Sequence, residues 1–258
     1  MNAETQRRLI LEQFTRQAVP FKEFPAHSNE SSLEHVLRAS AVQPTDAVLD
    51  VACGPGLVAT AFAKFAQHVT GIDLTPAMIE QARELQASRG LTNVDWRVGD
   101  VTALPFEDAA FDLVFTRYSF HHMLEPRRVL DEMVRVGKPG GRVVVVDVYS
   151  RDPEQGEAYD RVETLRDPSH VRALGLGEFA DLFRDAGLVD VEVGFYGLEV
   201  VLEDLLAGCF PNPGDDDKVR QIFADDIGHD RLGVGAYRKD GQIRFSFPIV
   251  VLVGRKPE

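Results

Sequence analysis

The chain has 258 residues, of which 44% are hydrophobic and 27% are charged, as in an ordinary globular protein with one large α/β domain. Its 41 acidic residues outnumber 28 lysines and arginines. The resulting net charge of -13 argues against nucleic acid as a partner, because phosphate backbones are bound mainly by Lys and Arg. The two cysteines form neither a disulfide framework nor a paired-cysteine zinc motif, so no metal site is expected.

The N-terminal residues lack the apolar core of a signal peptide, and no apolar run is long enough to span a bilayer. We therefore expect a soluble cytoplasmic protein without membrane insertion. In chain order, residues 1–43 are predicted to form an N-terminal helical cap, and residues 44–258 the main domain. Strands are predicted at 47–51, 68–72, 94–98, 111–116 and 142–149, with helices at 57–66, 76–88 and 126–136. Alternating strands and helices predict a parallel sheet with right-handed crossovers.

The last part of the main domain has a different pattern. A helix is predicted at 178–186, and residues 188–201 and 242–254 alternate like strands. Residues 202–241 between these two strands are too many for a plain hairpin. They are predicted to form a lid or a surface insertion.

The stretch from Val48 to Ala59 is the most informative one. A strand that contains Asp50 leads into a turn with Gly54 and Gly56, and a helix follows. Such a turn fits a dinucleotide or S-adenosylmethionine. Asp50 would oppose the pyrophosphate of a dinucleotide, whereas it can orient the amino group of S-adenosylmethionine. A purely structural function for Asp50, as a cap of the turn, stays open on this segment alone.

Acidic residues also end the next two predicted strands. Asp73 lies about twenty residues beyond the first glycine, where an acid typically binds ribose hydroxyls. Its alternative function is to cap the helix that begins after Thr75. Asp100, followed by Val101, ends the third strand, where an acid can accept the adenine amino group and an apolar residue can flank the ring.

Several blocks between Val48 and Asp147 carry a family resemblance together. They are residues 49–56, 71–78, 99–106 and 111–114, the pair His121–His122, and residues 135–141. In this order and spacing the chain resembles the class I S-adenosylmethionine-dependent methyltransferases, and within them the group similar to the ubiquinone/menaquinone C-methyltransferases. Ala52 stands where the family often has a third glycine, and Gly137 where leucine is usual.

The resemblance implies an α/β fold, a Rossmann-like doubly wound sheet of seven mostly parallel strands whose last strand is antiparallel. It also implies S-adenosylmethionine as the cofactor. The cofactor-binding residues that it implies are Asp50, Ala52, Gly54, Gly56, Asp73, Leu74, Met78, Asp100, Val101, Thr116 and Arg117.

The two histidines are predicted from their position. His121 and His122 follow the fourth strand, and either could act as the catalytic base, since histidine titrates near neutrality. The alternative is that one of them packs against the sheet edge and the other holds the cofactor loop. In similar methyltransferases the segment after the fifth strand covers the acceptor pocket, so the resemblance implies Tyr149, Arg166 and His170 as candidate substrate contacts, whereas Asp167 is interpreted as a helix cap.

The predicted activity is methyl transfer to O, N or C of a small organic acceptor, by a monomer or a homodimer. The first alternative is an S-adenosylmethionine-binding enzyme that does not methylate, such as a cyclase. A nicotinamide oxidoreductase is the second alternative, and it would not be expected to carry the later sequence blocks.

Overall fold

The computed structural model describes residues 1–23 and 30–258. Its helices are α1 (Ala3–Glu23), α2 (Glu30–Ser40), α3 (Leu57–Phe62), α4 (Pro76–Ser88), α5 (Pro126–Val136), α6 (Pro153–Arg166), α7 (Leu176–Asp185), α8 (Leu202–Ala207) and α9 (Asp215–Asp226). Its strands are β1 (Ala47–Val51), β2 (His68–Asp73), β3 (Val94–Val98), β4 (Phe111–Arg117), β5 (Gly137–Ser150), β6 (Leu174–Gly175), β7 (Val189–Val201), β8 (Tyr237–Lys239) and β9 (Gln242–Arg255).

The main sheet has the strand order β3-β2-β1-β4-β5-β9-β7. Strands β1 to β5 pair in parallel, and β9 runs antiparallel to both β5 and β7. The two short strands pair outside this path, β6 with β5 and β8 with β9. The predicted seven-stranded sheet with an antiparallel last strand is thus confirmed.

Apolar side chains on the two faces of the sheet pack into two clusters. In β5 the residues Val143 to Val146 are fully buried, and their side chains alternate between the clusters. Phe62 of α3 packs edge-to-face on Phe115 on one face, whereas Met133 of α5 belongs to the cluster on the other. A parallel sheet is covered on both faces, which explains the continuous valine run.

Several elements differ from the prediction, among them two helices and the strand β5, which begins at Gly137 instead of residue 142. Helix α3 ends at Phe62 instead of reaching residue 66, because the next residues form turns. Helix α6 was not predicted. Its N-terminus is capped by Asp152, whose carboxylate accepts a hydrogen bond from the Gln155 amide at 2.9 Å. Its buried positions include the charged residues Glu163 and Arg166, so the sequence shows no continuous apolar stripe at helical spacing.

The predicted insertion, residues 202–241, holds α8, α9 and β8. Helix α1 crosses the carboxyl edge of the sheet and is tied to the loop after β3 by an ion pair from Arg7 to Asp100 at 3.0 Å. Its far end contacts α4 through Lys22, which bonds Gln81 at 2.5 Å. Within the described ranges, no helix is long and apolar enough to cross a membrane.

Candidate active site

A cavity of about 510 Å³ lies at the carboxyl edge of the sheet. The ends of β1, β2 and β4 form its floor, and parts of α1, α6 and α8 form its walls. Many of its lining side chains are apolar, among them Ile10, Phe14, Met78, Leu198, Leu205 and Ile249. Ligands of open α/β sheets bind at this edge, where the strand order reverses between β1 and β4.

The turn after β1 has three residues with left-handed backbone, Ala52 at φ 54°, Gly54 at φ 53° and Gly56 at φ 77°. A Cβ atom built on Gly54 would meet nothing within 4 Å, so this glycine leaves open space at the cavity. A Cβ atom on Gly56 would lie 2.5 Å from the Trp96 ring. Gly54 therefore borders the cavity, whereas Gly56 allows the start of α3 to pack against Trp96.

Asp50 lies under this turn and is 2% exposed. Asp50 is among the lining residues, and its Oδ2 atom is buried without a hydrogen-bond partner among the described residues. Burial raises the pKa of Asp50 to about 7, although the charge of Arg117 acts in the opposite direction. A buried carboxyl oxygen without a donor indicates a place for a cationic ligand group.

Asp73 joins the first two strand ends. Its Oδ2 accepts a hydrogen bond from the Gly54 amide at 2.8 Å, and its Oδ1 accepts one from the Thr75 amide at 2.8 Å. Burial raises the pKa of Asp73 above its ordinary value, against the effect of these amides. Asp73 thus closes the turn between β2 and α4 and also lines the cavity, together with Leu74 and Met78.

Asp100 occupies the outer part of the cavity. Its Oδ1 accepts bonds from the amide and the hydroxyl of Thr102, at 2.9 and 2.7 Å, and its Oδ2 pairs with Arg7. Burial alone would raise the pKa of Asp100, but the Thr102 bonds and the charge of Arg7 outweigh it and lower this pKa. Val101 lies beside Asp100 in the lining.

Thr116 and Arg117 end β4, and they point in different directions. Thr116 is fully buried and donates to the Val51 carbonyl at 2.7 Å, so it lies outside the cavity lining. Arg117 lines the cavity. Tyr118 follows at φ 57°, an unusual conformation for a bulky residue and one that marks a constrained turn at the site.

His121 lies in a short 3-10 turn, Phe120–His122, and contacts Asp147 of β5. The His121 Nδ1 and Asp147 Oδ1 atoms are 2.5 Å apart, and Asp147 Oδ2 accepts the amides of Ser119 and Phe120. Burial alone would lower the pKa of His121, but the Asp147 carboxylate raises it above its ordinary value. With Nδ1 directed at Asp147, Nε2 is the basic atom of a ring that lines the cavity.

His122 has a different environment. Its Nδ1 atom lies 3.0 Å from the Ser169 carbonyl, and its ring packs edge-to-face on Phe14. Burial, and then the neighbouring His121, lowers the pKa of His122 to about 3. This ring therefore stays neutral and joins the 3-10 turn to the segment after α6.

Among the predicted substrate contacts, Arg166 lines the cavity and forms an ion pair with Glu163 at 2.5 Å. His170 is buried behind the lining, with Nε2 at 2.8 Å from Asp160. Tyr149 also lies outside the lining, where its ring packs near the ring of Phe195. The interpretation of Asp167 as a cap is incomplete, since it closes the turn after α6 and lines the cavity as well.

Three further residues that the structure brings to the site were not predicted to have a function, namely Gln6, Gln17 and Asp147. Asp147 could have been found as the single acid inside a valine-rich strand. The two glutamines are buried in α1, at positions that lie on one face of a helix. Within residues 1–23 and 30–258, no group of three or more His, Cys, Asp or Glu side chains could hold a metal ion.

Comparison with known proteins agrees with this geometry. Residues 49–145 match the family described as Methyltransferase domain. The uncharacterized methyltransferase YcgJ of Bacillus subtilis is 33% identical over 171 residues, which cover 66% of this chain and 68% of that protein. Its crystal structure has a TM-score of 0.82 and covers 89% of this chain and all of that one.

A second relative is the ubiquinone/menaquinone biosynthesis C-methyltransferase UbiE of a Ruegeria species. It is 38% identical over 119 residues, which cover 45% of this chain and 47% of that protein, so the match spans about half of each. The chain therefore belongs to the methyltransferase domain family, as a class I S-adenosylmethionine-dependent methyltransferase related to UbiE.

Proposed function

We propose that this enzyme methylates an O, N or C atom of a small organic acceptor whose nucleophilic atom loses a proton to His121. The observation that carries the proposal is the contact between His121 and the buried Asp147 carboxylate at the cavity wall. A positioned histidine with a buried carboxylate partner is a common form of general base. The largely apolar walls of the cavity support a small organic acceptor.

The cofactor site is proposed on the residues that line the other part of the cavity. Asp50 would hold the amino group, since its Oδ2 lacks a hydrogen-bond donor in the described structure. Gly54 would give room for the methionine part. Asp73 would receive the ribose hydroxyls, and Asp100 the adenine edge. When bound, S-adenosylmethionine supplies an activated methyl group on a sulfonium.

The remaining predicted cofactor contacts divide into two groups. Those that line the cavity are Ala52, Leu74, Met78, Val101 and Arg117, and we keep them as proposed contacts. Gly56 and Thr116 lie behind the lining, so we propose that they shape the turn and the end of β4 without touching the cofactor.

His121 performs the proton transfer in this proposal. Asp147 fixes the ring through Nδ1, so that Nε2 accepts the proton from the acceptor. The imidazolium that forms is then paired with the carboxylate inside the protein, where a charge pair interacts more strongly than in water. His122 supports the turn and stays neutral.

Turnover with labelled cofactor tests the proposal. The protein is incubated with S-adenosylmethionine and a panel of phenols, enols and amines, and S-adenosylhomocysteine is measured. His121→Gln is expected to lower kcat by about 100-fold or more, as is typical for loss of a general base. His68→Gln is the matched control, since His68 forms a surface pair with Asp95 at 3.1 Å. Equal kcat values for the two variants would reject His121 as the base.

We also propose that the enzyme acts in the cytoplasm. Cys53 and Cys209 are both free thiols, and free thiols are usual in reducing compartments. Cys209 accepts a hydrogen bond from Arg166 at 2.9 Å, so it is part of the packed site. Fractionation of cells that express the tagged chain checks the location.

A further inference from the structure

Helix α1 presents three buried glutamines to the rest of the protein. Gln6, Gln13 and Gln17 are 4%, 6% and 5% exposed. Glutamine is mostly a surface residue, and a buried amide needs hydrogen-bond partners. Gln6 and Gln17 line the cavity, whereas Gln13 donates to the Phe210 carbonyl at 3.2 Å. Gln6 and Gln17 are therefore candidates for ligand contacts.

Gln6 has one satisfied end and one unsatisfied end. Its Nε2 donates to the carbonyls of His122 and Ser169, each at 2.7 Å, and these two bonds fix the orientation of the amide. Its Oε1 is buried and has no partner among the described residues. A buried acceptor in a cavity lining, held in place by its own amino group, indicates a ligand that donates a hydrogen bond.

Asp167 offers a second acceptor nearby. Its Oδ1 accepts the amide and hydroxyl of Ser169, at 2.8 and 2.6 Å, while its Oδ2 accepts one long bond of 3.3 Å from Gln17. Gln6 contacts the carbonyl of the same Ser169, so Gln6 and Asp167 are neighbours through this residue. Hydrogen-bond capacity at Asp167 Oδ2 therefore remains for a ligand.

The charges around Asp167 favour a cation. Arg166 is held by both carboxylate oxygens of Glu163, at 2.5 to 3.1 Å, and its charge also acts on Asp167, so the three residues together carry one negative charge in excess. The nearby His122 ring is neutral, as described above. Asp167 then gives this wall a formal charge of -1, which a protonated amine would neutralise and a carboxylate would oppose.

We propose that Gln6 and Asp167 form a subsite for a protonated amine of the methyl acceptor, an inference that rests on the proposed function. A carboxylate partner favours the protonated amine, which has no lone pair for methylation. The amine is therefore the anchor, and another atom of the same molecule, close to His121, is the one methylated. Aromatic side chains in the lining, Phe14 and Tyr159, would cover the apolar body of the acceptor.

A matched series of phenols tests this subsite. Tyramine, 4-ethylphenol and 4-hydroxyphenylacetate share a hydroxyphenyl group and differ in the charge of the side chain. Their affinities are measured by calorimetry on the full-length protein saturated with S-adenosylhomocysteine. We expect tyramine to bind about tenfold or more tightly than 4-ethylphenol, as for one hydrogen bond to a charged group, and 4-hydroxyphenylacetate to bind most weakly.

Asp167→Asn is expected to bring tyramine within about threefold of 4-ethylphenol. Asp152→Asn is the matched control at the other end of α6, where asparagine also caps a helix, and it should keep the preference for tyramine. The wild-type ranking decides the proposal even if Asp167→Asn does not fold. Equal affinities, a preference for the carboxylate, no binding of any of the three, or an unchanged preference in Asp167→Asn would each overturn it.

The same series separates this inference from the proposed function. If tyramine binds in the Asp167-dependent manner but His121→Gln leaves its methylation unchanged, the amine subsite stands and His121 is not the base. If His121→Gln abolishes turnover while all three phenols bind equally, the base stands and the amine subsite is wrong.

Discussion

Binding of S-adenosylmethionine is expected to release a proton from Asp50. The carboxyl group is buried, its Oδ2 has no donor among the described residues, and burial raises its pKa to about 7 in the free protein. An ammonium group placed beside it would favour the carboxylate and lower this pKa strongly. The bound complex should therefore hold fewer protons than its separate components below pH 7.

The size of the effect follows from the pKa of about 7. In the free protein Asp50 should be about 90% protonated at pH 6 and about half protonated at pH 7. Binding should then release about 0.9 proton at pH 6 and about 0.5 at pH 7. Over the same range, affinity should weaken by up to about tenfold per unit as the pH falls.

Calorimetry in two buffers of different ionisation enthalpy measures this release directly, because the observed enthalpy changes in proportion to the protons exchanged. Asp50→Asn should bind more weakly and show almost no proton release at pH 6. Asp95→Asn, at a side chain that is 75% exposed, should behave like the wild type. Wild-type release near zero at pH 6, or equal release in Asp50→Asn, would refute the assignment of Asp50 to the amino group.

Stability of the free protein gives an independent check on Asp50. A raised pKa in the folded state means that this group stabilises the fold below pH 3.8, and that this contribution is lost as the pH rises to about 7. The upper limit of the loss is about 4 kcal/mol, from a shift of about three units at 1.36 kcal/mol each. Urea unfolding at pH 5 and pH 8 should show a smaller pH dependence for Asp50→Asn than for the wild type.

Three further outcomes are expected. The kcat/KM of the wild type should rise with pH through a midpoint above 6.5, because Asp147 raises the pKa of His121. Asp147→Asn should lower that midpoint, and an unchanged pH profile in this variant would contradict the assignment. Gly56→Ala should lower the free energy of unfolding, measured with urea, by about 3 kcal/mol, because the added methyl group would clash with Trp96 and the backbone is left-handed. A decrease below about 1 kcal/mol would be inconsistent with the packing at this glycine. Ala52→Gly should raise the free energy of unfolding by up to about 1 kcal/mol, because glycine adopts the left-handed backbone at φ 54° without strain. A clear loss of stability would show that Ala52 is not strained.

The fold was predictable because its signals are local. Thr75 followed by Pro76 marks the start of α4, and the helix begins at Pro76. The valine run of β5 predicts a strand buried on both faces, and all of Val143 to Val146 are fully buried. Helix α6 was not predictable in this way, because the residues that face inward include an ion pair whose burial only the tertiary structure produces.

The site was predictable to the level of position, and less so to the level of side-chain direction. Asp50 and Gly54 follow from the strand and turn pattern, and both line the cavity. Thr116 was implied by the resemblance as a cofactor contact at the end of β4, but the alternation of side chains along a strand turns it inward to the Val51 carbonyl. Arg117, one residue further along the chain, is the residue that lines the cavity.

The choice between the two adjacent histidines also depends on direction. In a 3-10 turn, consecutive residues are about 120° apart around the axis, so His121 and His122 face different surroundings. His121 meets the Asp147 carboxylate, and His122 meets the Ser169 carbonyl. Asp147 is 26 residues away in sequence, so the partner that distinguishes the two rings comes only from the pairing of β4 with β5.

The two ends of the cavity use buried carboxylates in opposite ways. The Oδ2 atom of Asp50 has no hydrogen-bond partner among the described residues, the pKa of Asp50 is raised, and a cationic ligand group would pair with it on binding. Asp147 already accepts the amides of Ser119 and Phe120 through Oδ2 and contacts the His121 ring through Oδ1. In the proposed mechanism, proton transfer to His121 would create an ion pair without moving any protein group, because the amides and the carboxylate are in place beforehand. If both proposals hold, the cofactor's cation would be bound by a carboxylate that ionises on binding, whereas the proton transfer would be stabilised by a carboxylate whose hydrogen bonds are already formed.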